Sequence, residues 1–202
     1  MIRDFAEIDP NRIAAILYRT EDDVDSLLAD FARDLLRDGT PVGGIVQNNP
    51  RDQNGKTGME VLDLLSGNRI SICQPLGSGA MACKLDAGGL AEAAMSVTRA
   101  IHGDVALIII NKFSKQEASG RGLRDEFAEA IMAGVPVLTA VPEKCLEAWR
   151  LFIGDQGTTL PCAREAIQSW WRDMSSRMAL MRDALPDTAP GTTTFRSSRP
   201  TT

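Results

Sequence analysis

Histidine and tyrosine each occur once in this chain of 202 residues, and that scarcity excludes some chemistry at the outset. With His102 as the sole imidazole, a serine or cysteine triad has no obvious base. Its place near the end of an amphipathic segment suits a structural role, because a protonated histidine is stabilised at a helix C-terminus. Cysteine is sparse too. Cys73, Cys83, Cys145 and Cys162 include no C-x-x-C pair, so neither a zinc knuckle nor a thioredoxin-type dithiol is expected. In a reducing compartment the expectation is four free thiols. Long apolar runs are missing. The longest, Val105 to Ile110, is far too short to cross a bilayer, and the opening MIRDFAEIDP has no apolar stretch of the kind a secretory signal needs. A cytoplasmic protein without membrane contact is expected. Positive charge is not in excess either. Lys and Arg number 22 against 27 Asp and Glu, a net charge of −5, which argues against non-specific nucleic-acid binding.

What is present is the material of one globular domain. Hydrophobic residues make up 44% and charged residues 24%, enough for a single core. Residues 1–12 read as a polar N-terminal arm, 13–185 as the domain, and 186–202, rich in Pro, Thr and Ser, as a disordered tail. Ile13 to Tyr18 is a short apolar strand. Val24, Leu27, Leu28, Phe31 and Leu35 recur at helical spacing, with Gly39 as the stop. Val42 to Gln47 is a second strand. Thr57 to Leu64 and Arg69 to Cys73 flank a Ser66-Gly67-Asn68 turn as a hairpin, and Pro75 to Asp86 reads as a loop. Gly88 to Ile101 is helical. Val105 to Ile110 is apolar throughout, as a strand covered on both faces should be. Arg121 to Met132 is helical, and Val135 to Val141 is the last expected core strand. Leu146 to Phe152 and Ala163 to Leu185 are helices. On the longer one Ile167, Trp170, Trp171, Met174, Met178 and Met181 form a stripe that fits packing on the sheet or on a second copy, a homodimer.

This alternation predicts an α/β fold, a three-layer, mainly parallel sheet with helices on both faces and a hairpin insertion. In such sheets ligands sit beyond the C-terminal strand ends.

The motifs VGGIVQ at 42–47, GMEVLDLLSGNRISI at 58–72 and the run from LDAGGLAEA to GVPVLTAVP at 85–142 resemble the thermophilic-type nucleoside triphosphatases, a P-loop family. The stretch Asn111 to Phe127, N-K-F-S-K-Q-E-A-S-G-R-G-L-R-D-E-F, is similar to that of a bacterial family of unassigned function. That second resemblance implies a connection with molybdate handling, through the neighbourhood of the family's genes.

Against the first resemblance, the sequence departs at both phosphate-handling positions. A working P-loop places G-x-x-x-x-G-K-[ST] between first strand and first helix. Here Tyr18-Arg19-Thr20-Glu21-Asp22-Asp23-Val24-Asp25 has neither glycine nor lysine. A carboxylate roughly 5 Å from a phosphate charge costs about 3 kcal/mol at an effective dielectric near 20. The same acids also favour a helix N-terminus. Gly55-Lys56-Thr57 copies the end of the motif but lacks its first glycine and opens a strand. After the central strand, where these enzymes place a magnesium-binding acid, the chain reads Asn111-Lys112-Phe113-Ser114.

No catalytic residue and no metal ligand are assigned, and no cofactor is identified. Lys112, Lys115, Arg121 and Arg124 are the candidate anion contacts, set against a reading in which they form a solvated basic loop paired with nearby acids. Gln47 and Asn48, with Asn111, are placed in the same crevice by topology. Cys73 and Cys83 bracket a loop that could close over a ligand, although two buried, inert thiols are the plainer expectation. The expected function is a non-catalytic protein binding a nucleotide-like ligand or an oxyanion on a degenerate P-loop scaffold. The alternatives are a protein-interaction or regulatory module with a vestigial site and a nucleoside triphosphatase or phosphotransferase with an atypical phosphate site.

Overall fold

In the computed structural model, residues 9–49, 58–75, 83–154 and 156–183 are described. The beginning of the N-terminal arm, the Gly55-Lys56-Thr57 motif, the centre of the loop after Pro75 and the 186–202 tail lie outside them. Pro10–Arg12 form a single 3-10 turn capped by Asp9. The chain then alternates β1 (Ile13–Tyr18), α1 (Val24–Arg37), β2 (Val42–Asn48), β3 (Glu60–Asp63), β4 (Arg69–Ser71), β5 (Cys73–Pro75), β6 (Cys83–Leu85), α2 (Ala87–Ile101) and β7 (Leu107–Ile110). It continues with α3 (Lys115–Ala118), α4 (Arg124–Ala133), β8 (Val137–Pro142), α5 (Leu146–Ile153), β9 (Thr158–Pro161) and α6 (Arg164–Asp183).

Seven strands form one sheet in the order β4-β3-β2-β7-β8-β1-β9. β2, β7, β8, β1 and β9 run parallel, while β3 and β4 add the antiparallel hairpin at one edge. The period of two along each strand divides the core between two faces. Ile108 and Ile110 pack with α2, α4 and α5 on one side. Leu107 and Ile109 pack with α1 and α6 on the other. All four are fully buried, each worth about 1.5–3 kcal/mol of transfer free energy. A charge at any of them would break the sheet's centre.

Gly44 is required by a close approach. Its φ is +97°, and a Cβ there would lie 2.1 Å from the Ile109 carbonyl oxygen. The hairpin turn is tied by Asp63, which is 2% exposed. Its carboxylate accepts from the Leu65 N–H at 2.9 Å and the Ser66 hydroxyl at 2.8 Å. Burial pushes the Asp63 carboxyl up, but these hydrogen bonds outweigh it and hold it below the usual carboxylate range.

The structure differs from the sequence expectations in four places. β9 is an additional parallel strand on β1, so β8 is not the last core strand. Cys73–Pro75 pairs antiparallel with Cys83–Leu85, where a loop was expected from Pro75. Arg121 precedes α4, and a separate short helix α3 comes before it. The helical pattern ran through Gly122, whose φ of +66° ends any continuation. Finally, Cys73 is disulfide-bonded, so the expectation of four free thiols is corrected. The β5–β6 hairpin had not been foreseen, and half-buried Cys73 belongs to it. Cys145 and Cys162 are free. The α6 stripe packs on the chain's own sheet through Ile167, Trp170, Trp171 and Met174, whereas Leu180 and Met181 remain exposed. Among the described residues no helix is long and apolar enough to cross a membrane.

Candidate functional site

The C-terminal ends of β1, β2, β7 and β8 open onto the region between the start of α1 and residues 111–124. Three features fix the position of Asn111 and Lys112. β7 ends at Ile110, whose carbonyl accepts from the Thr139 hydroxyl at 2.7 Å. The Asn111 amide donates to the Ile45 carbonyl at 3.1 Å. Phe113 is fully buried and meets Phe127 and Trp149 edge-on, with ring centroids 5.7 and 5.0 Å away. The aromatic anchor thus holds the residues just before it.

Asp25, in the first turn of α1, is the centre of the polar network. It accepts from Lys112 Nζ at 3.0 and 3.2 Å, from Asn111 Nδ2 at 2.9 Å and from Asn49 Nδ2 at 3.0 Å. The peptide bond joining Asn111 to Lys112 is cis, and both side chains reach Asp25. The Lys112 and Asp25 side chains are each 19% exposed, so the pair is largely shielded from water. Lys112 Nζ also lies 5.4 Å from the Tyr18 ring centroid, within cation–π range. Burial, then the charge of Asp25, pushes the Tyr18 hydroxyl up to about 12, so it keeps its proton at any physiological pH. Gln47 joins the network by donating to Asn49 at 2.8 Å.

Two further acids of the β1–α1 loop serve the backbone. Asp23 caps α1 by accepting from the Ser26 N–H at 3.2 Å. Asp22 accepts from the Arg19 N–H at 2.7 Å, and Arg19 pairs with Glu143 at 2.8 Å on the surface. These acids line an open cleft of about 580 Å³. Burial, followed by the charges of Asp22 and Asp23, raises the Cys162 thiol above its ordinary value. Among the described residues no group of three or more His, Cys, Asp or Glu is arranged to hold a metal ion.

Of the candidate residues, Gln47, Asn111 and Lys112 meet in the Asp25 network, and Asn48 lines a cleft beside Gln47 and Asp25. Lys115, Arg121 and Arg124 do not converge with them. Lys115 is exposed on α3. Exposed Arg121 lies 3.4 Å from the Ser119 hydroxyl. Arg124 donates to the Glu117 carbonyl at 2.9 Å and stacks its guanidinium 4.3 Å over the Phe152 ring. Glu117 was expected only as a surface partner for these cations. Instead it is 6% exposed and accepts from the Ser114 and Leu123 N–H groups at 2.9 and 3.1 Å. The Ser-x-x-Glu spacing of a capping box was a readable signal for this. A Cβ on Gly122 would lie 2.0 Å from the Glu117 carboxylate, so the glycine of the R-G-L sequence leaves room for it. Sequence reasoning missed Asp25 as the hub and Asn49 altogether.

Beside this network lies a mainly apolar cavity of about 200 Å³ between β3, α2 and the 114–123 segment. Asn111 and Lys112 form part of its wall.

A family described as proteins of unknown function (DUF2478) matches residues 13–170. The chain belongs to this family. This DUF2478 member is also 68% identical, over 181 residues, to the molybdenum import ATP-binding protein ModC 2 of Bradyrhizobium diazoefficiens. That match covers 89% of the chain and spans about a fifth of the relative's length, 20%. Among solved structures, the solution structure of a human cancer-related nucleoside triphosphatase superposes with a TM-score of 0.52 at 15% identity. The superposition covers 86% of this chain and 97% of the other. At that identity the likeness establishes the fold alone, which is P-loop-NTPase-like.

Proposed function

We propose that this DUF2478 chain is a non-catalytic, cytoplasmic ligand-binding domain on a P-loop-like scaffold, working in connection with molybdenum import. The observation that carries the reading is the Asp25–Lys112–Asn111 network. At the helix start where a phosphate cradle would sit, the chain presents carboxylates, and the lysine after the central strand is neutralised by one of them. A triphosphate entering there would lose the Lys112 charge to Asp25 and meet Asp22 and Asp23 as well. The strand ends still form a crevice of the kind that binds ligands in open α/β sheets. The link to molybdenum import rests on the name of the ModC 2 relative.

The test is a panel of Mg-ATP, Mg-GTP, phosphate, molybdate and tungstate followed by thermal shift and by phosphate release. The reading expects no phosphate release above the buffer rate and no stabilisation by either nucleoside triphosphate. Magnesium-dependent release that Lys112→Met abolishes would refute it. Stabilisation by molybdate or tungstate but not phosphate would support an oxyanion as ligand.

A second reading, an interaction module, is favoured by one observation: the homologous stretch is about a fifth, 20%, of a longer protein. It expects the domain to bind the remainder of that relative in a direct binding assay while all small ligands fail.

A further inference from the structure

We infer that Cys73 and Cys83 form a redox-sensitive clasp. A thiol reductant opens the β5–β6 hairpin and loosens the sheet edge and helix start that lean on it, while the main sheet stays folded. The inference rests on the cytoplasmic part of the reading above and goes beyond its ligand claim. Cys73 is disulfide-bonded. The chain has four cysteines, and Cys145 and Cys162 are free, which leaves Cys83 as the partner. Cys83 opens the strand that pairs antiparallel with that of Cys73, in a register that sets it opposite Pro75.

The hairpin has little else to hold it together. β5 and β6 are 3 residues each and form a two-stranded sheet of their own, apart from the seven-stranded one. Such a hairpin is marginal in water, and Pro75 brings no N–H to its ladder. Closing a loop of roughly ten residues favours the paired state about a hundredfold. The disulfide therefore decides whether the hairpin is paired. Cys73 is half-buried, so a small dithiol has access to it. Disulfides in a reducing compartment are mostly transient and redox-sensing, and accessible ones are the more readily reduced.

The clasp is tied to two other elements. Cys73 Sγ accepts from the Met59 N–H at 3.4 Å. Met59 precedes Glu60, which pairs with Asn48 of the candidate site. On the other side, Gln74 donates to the Asp86 carboxylate, and the Asp86 N–H donates to the Ile72 carbonyl at 3.0 Å. The same carboxylate caps α2 by accepting from the Gly89 N–H at 2.8 Å. Opening the hairpin thus removes support from the Glu60 end of β3 and from the start of α2. In the reaction the S–S bond breaks and two S–H groups form. The two electrons and two protons come from a dithiol such as dithiothreitol, which leaves as its cyclic disulfide.

The experiment takes the protein oxidised with glutathione disulfide, adds dithiothreitol without denaturant, counts free thiols by alkylation and mass, and follows amide hydrogen exchange by NMR. Two thiols are expected to appear while the protein stays folded. The Met59, Asp86 and Gly89 amides are expected to exchange at least about tenfold faster, the Ile109 and Leu138 amides to keep their protection, and glutathione disulfide to restore the slow state. Cys73→Ser is expected to exchange fast at these three amides with or without reductant. The inference is overturned if glutathione disulfide does not form the bond or if the native protein gains no thiols. It is equally overturned if the three amides exchange as before once reduced, or if Ile109 and Leu138 open with them. A folded Cys73→Ser variant as slow as the oxidised protein also overturns it; if that variant does not fold, the wild-type comparison decides alone. None of these outcomes bears on ligand binding or nucleoside triphosphate hydrolysis, so the non-catalytic reading stands or falls separately.

Discussion

Removing Asp25 should destabilise the protein far more than removing an ordinary surface acid, and the size of the effect follows from its partners. The Lys112 ammonium is 3.0 Å from the carboxylate. At an effective dielectric near 20 the gross attraction is about 5 kcal/mol. Desolvation of two mostly shielded ions offsets much of this, which leaves a net coupling of about 1–2 kcal/mol. Asp25→Ala also strips the buried Asn111 Nδ2 of its acceptor, at about 1–3 kcal/mol. The sum predicts a loss of about 2–5 kcal/mol for Asp25→Ala. Lys112→Met keeps the apolar stem against the cavity and should cost about 2 kcal/mol. The double variant should cost at least 1 kcal/mol less than the two singles added, because each single leaves a charge unpaired. Urea unfolding of the four proteins measures this cycle directly. A coupling below about 0.5 kcal/mol, typical of an exposed pair, would refute the argument that Asp25 and Lys112 satisfy each other.

Two further outcomes follow from the fold. Gly44→Ala forces a Cβ to 2.1 Å from the Ile109 carbonyl at a φ of +97°; it should cost about 3 kcal/mol or more, and a thermal midpoint near wild type would contradict this. Asp63→Asn should cost about 1–2 kcal/mol at neutral pH. The Asp63 carboxyl is held below its ordinary value of 3.8, so its contribution is present above the unfolded value and is lost as pH falls through the folded one. The stability gap between wild type and Asp63→Asn should therefore be full at pH 7 and shrink as pH drops below about 4. A gap that widened in acid would show the sign to be wrong.

The central strands and the helices that cover them were readable because their burial patterns are local. The LIII run of β7 and the Val24, Leu28, Phe31, Leu35 spacing of α1 each announce their element without help from distant residues. β9 was not readable. In Thr-Thr-Leu-Pro only Leu160 is buried, and a proline at an edge position looks like a loop. The β5–β6 pairing escaped for a related reason: each strand is three residues long. At the site, the absence of a glycine-lysine loop was visible at once, but its counterpart was not. Asp25 and Lys112 are 87 positions apart, and nothing in either neighbourhood indicates that they meet. Arg121 and Arg124 stand together among the expected anion contacts because the expected helix begins at Arg121 and runs through Gly122. The turn there sends one into solvent and the other onto Phe152.

The most direct measurement is a phosphorus NMR record of Mg-ATP held with a stoichiometric amount of the protein. The account predicts that the β and γ resonances keep their position and width, and that no inorganic phosphate accumulates beyond the protein-free control. A broadened γ resonance together with growing inorganic phosphate, both lost in Lys112→Met, would show that a triphosphate is seated and cleaved where the carboxylates should refuse it.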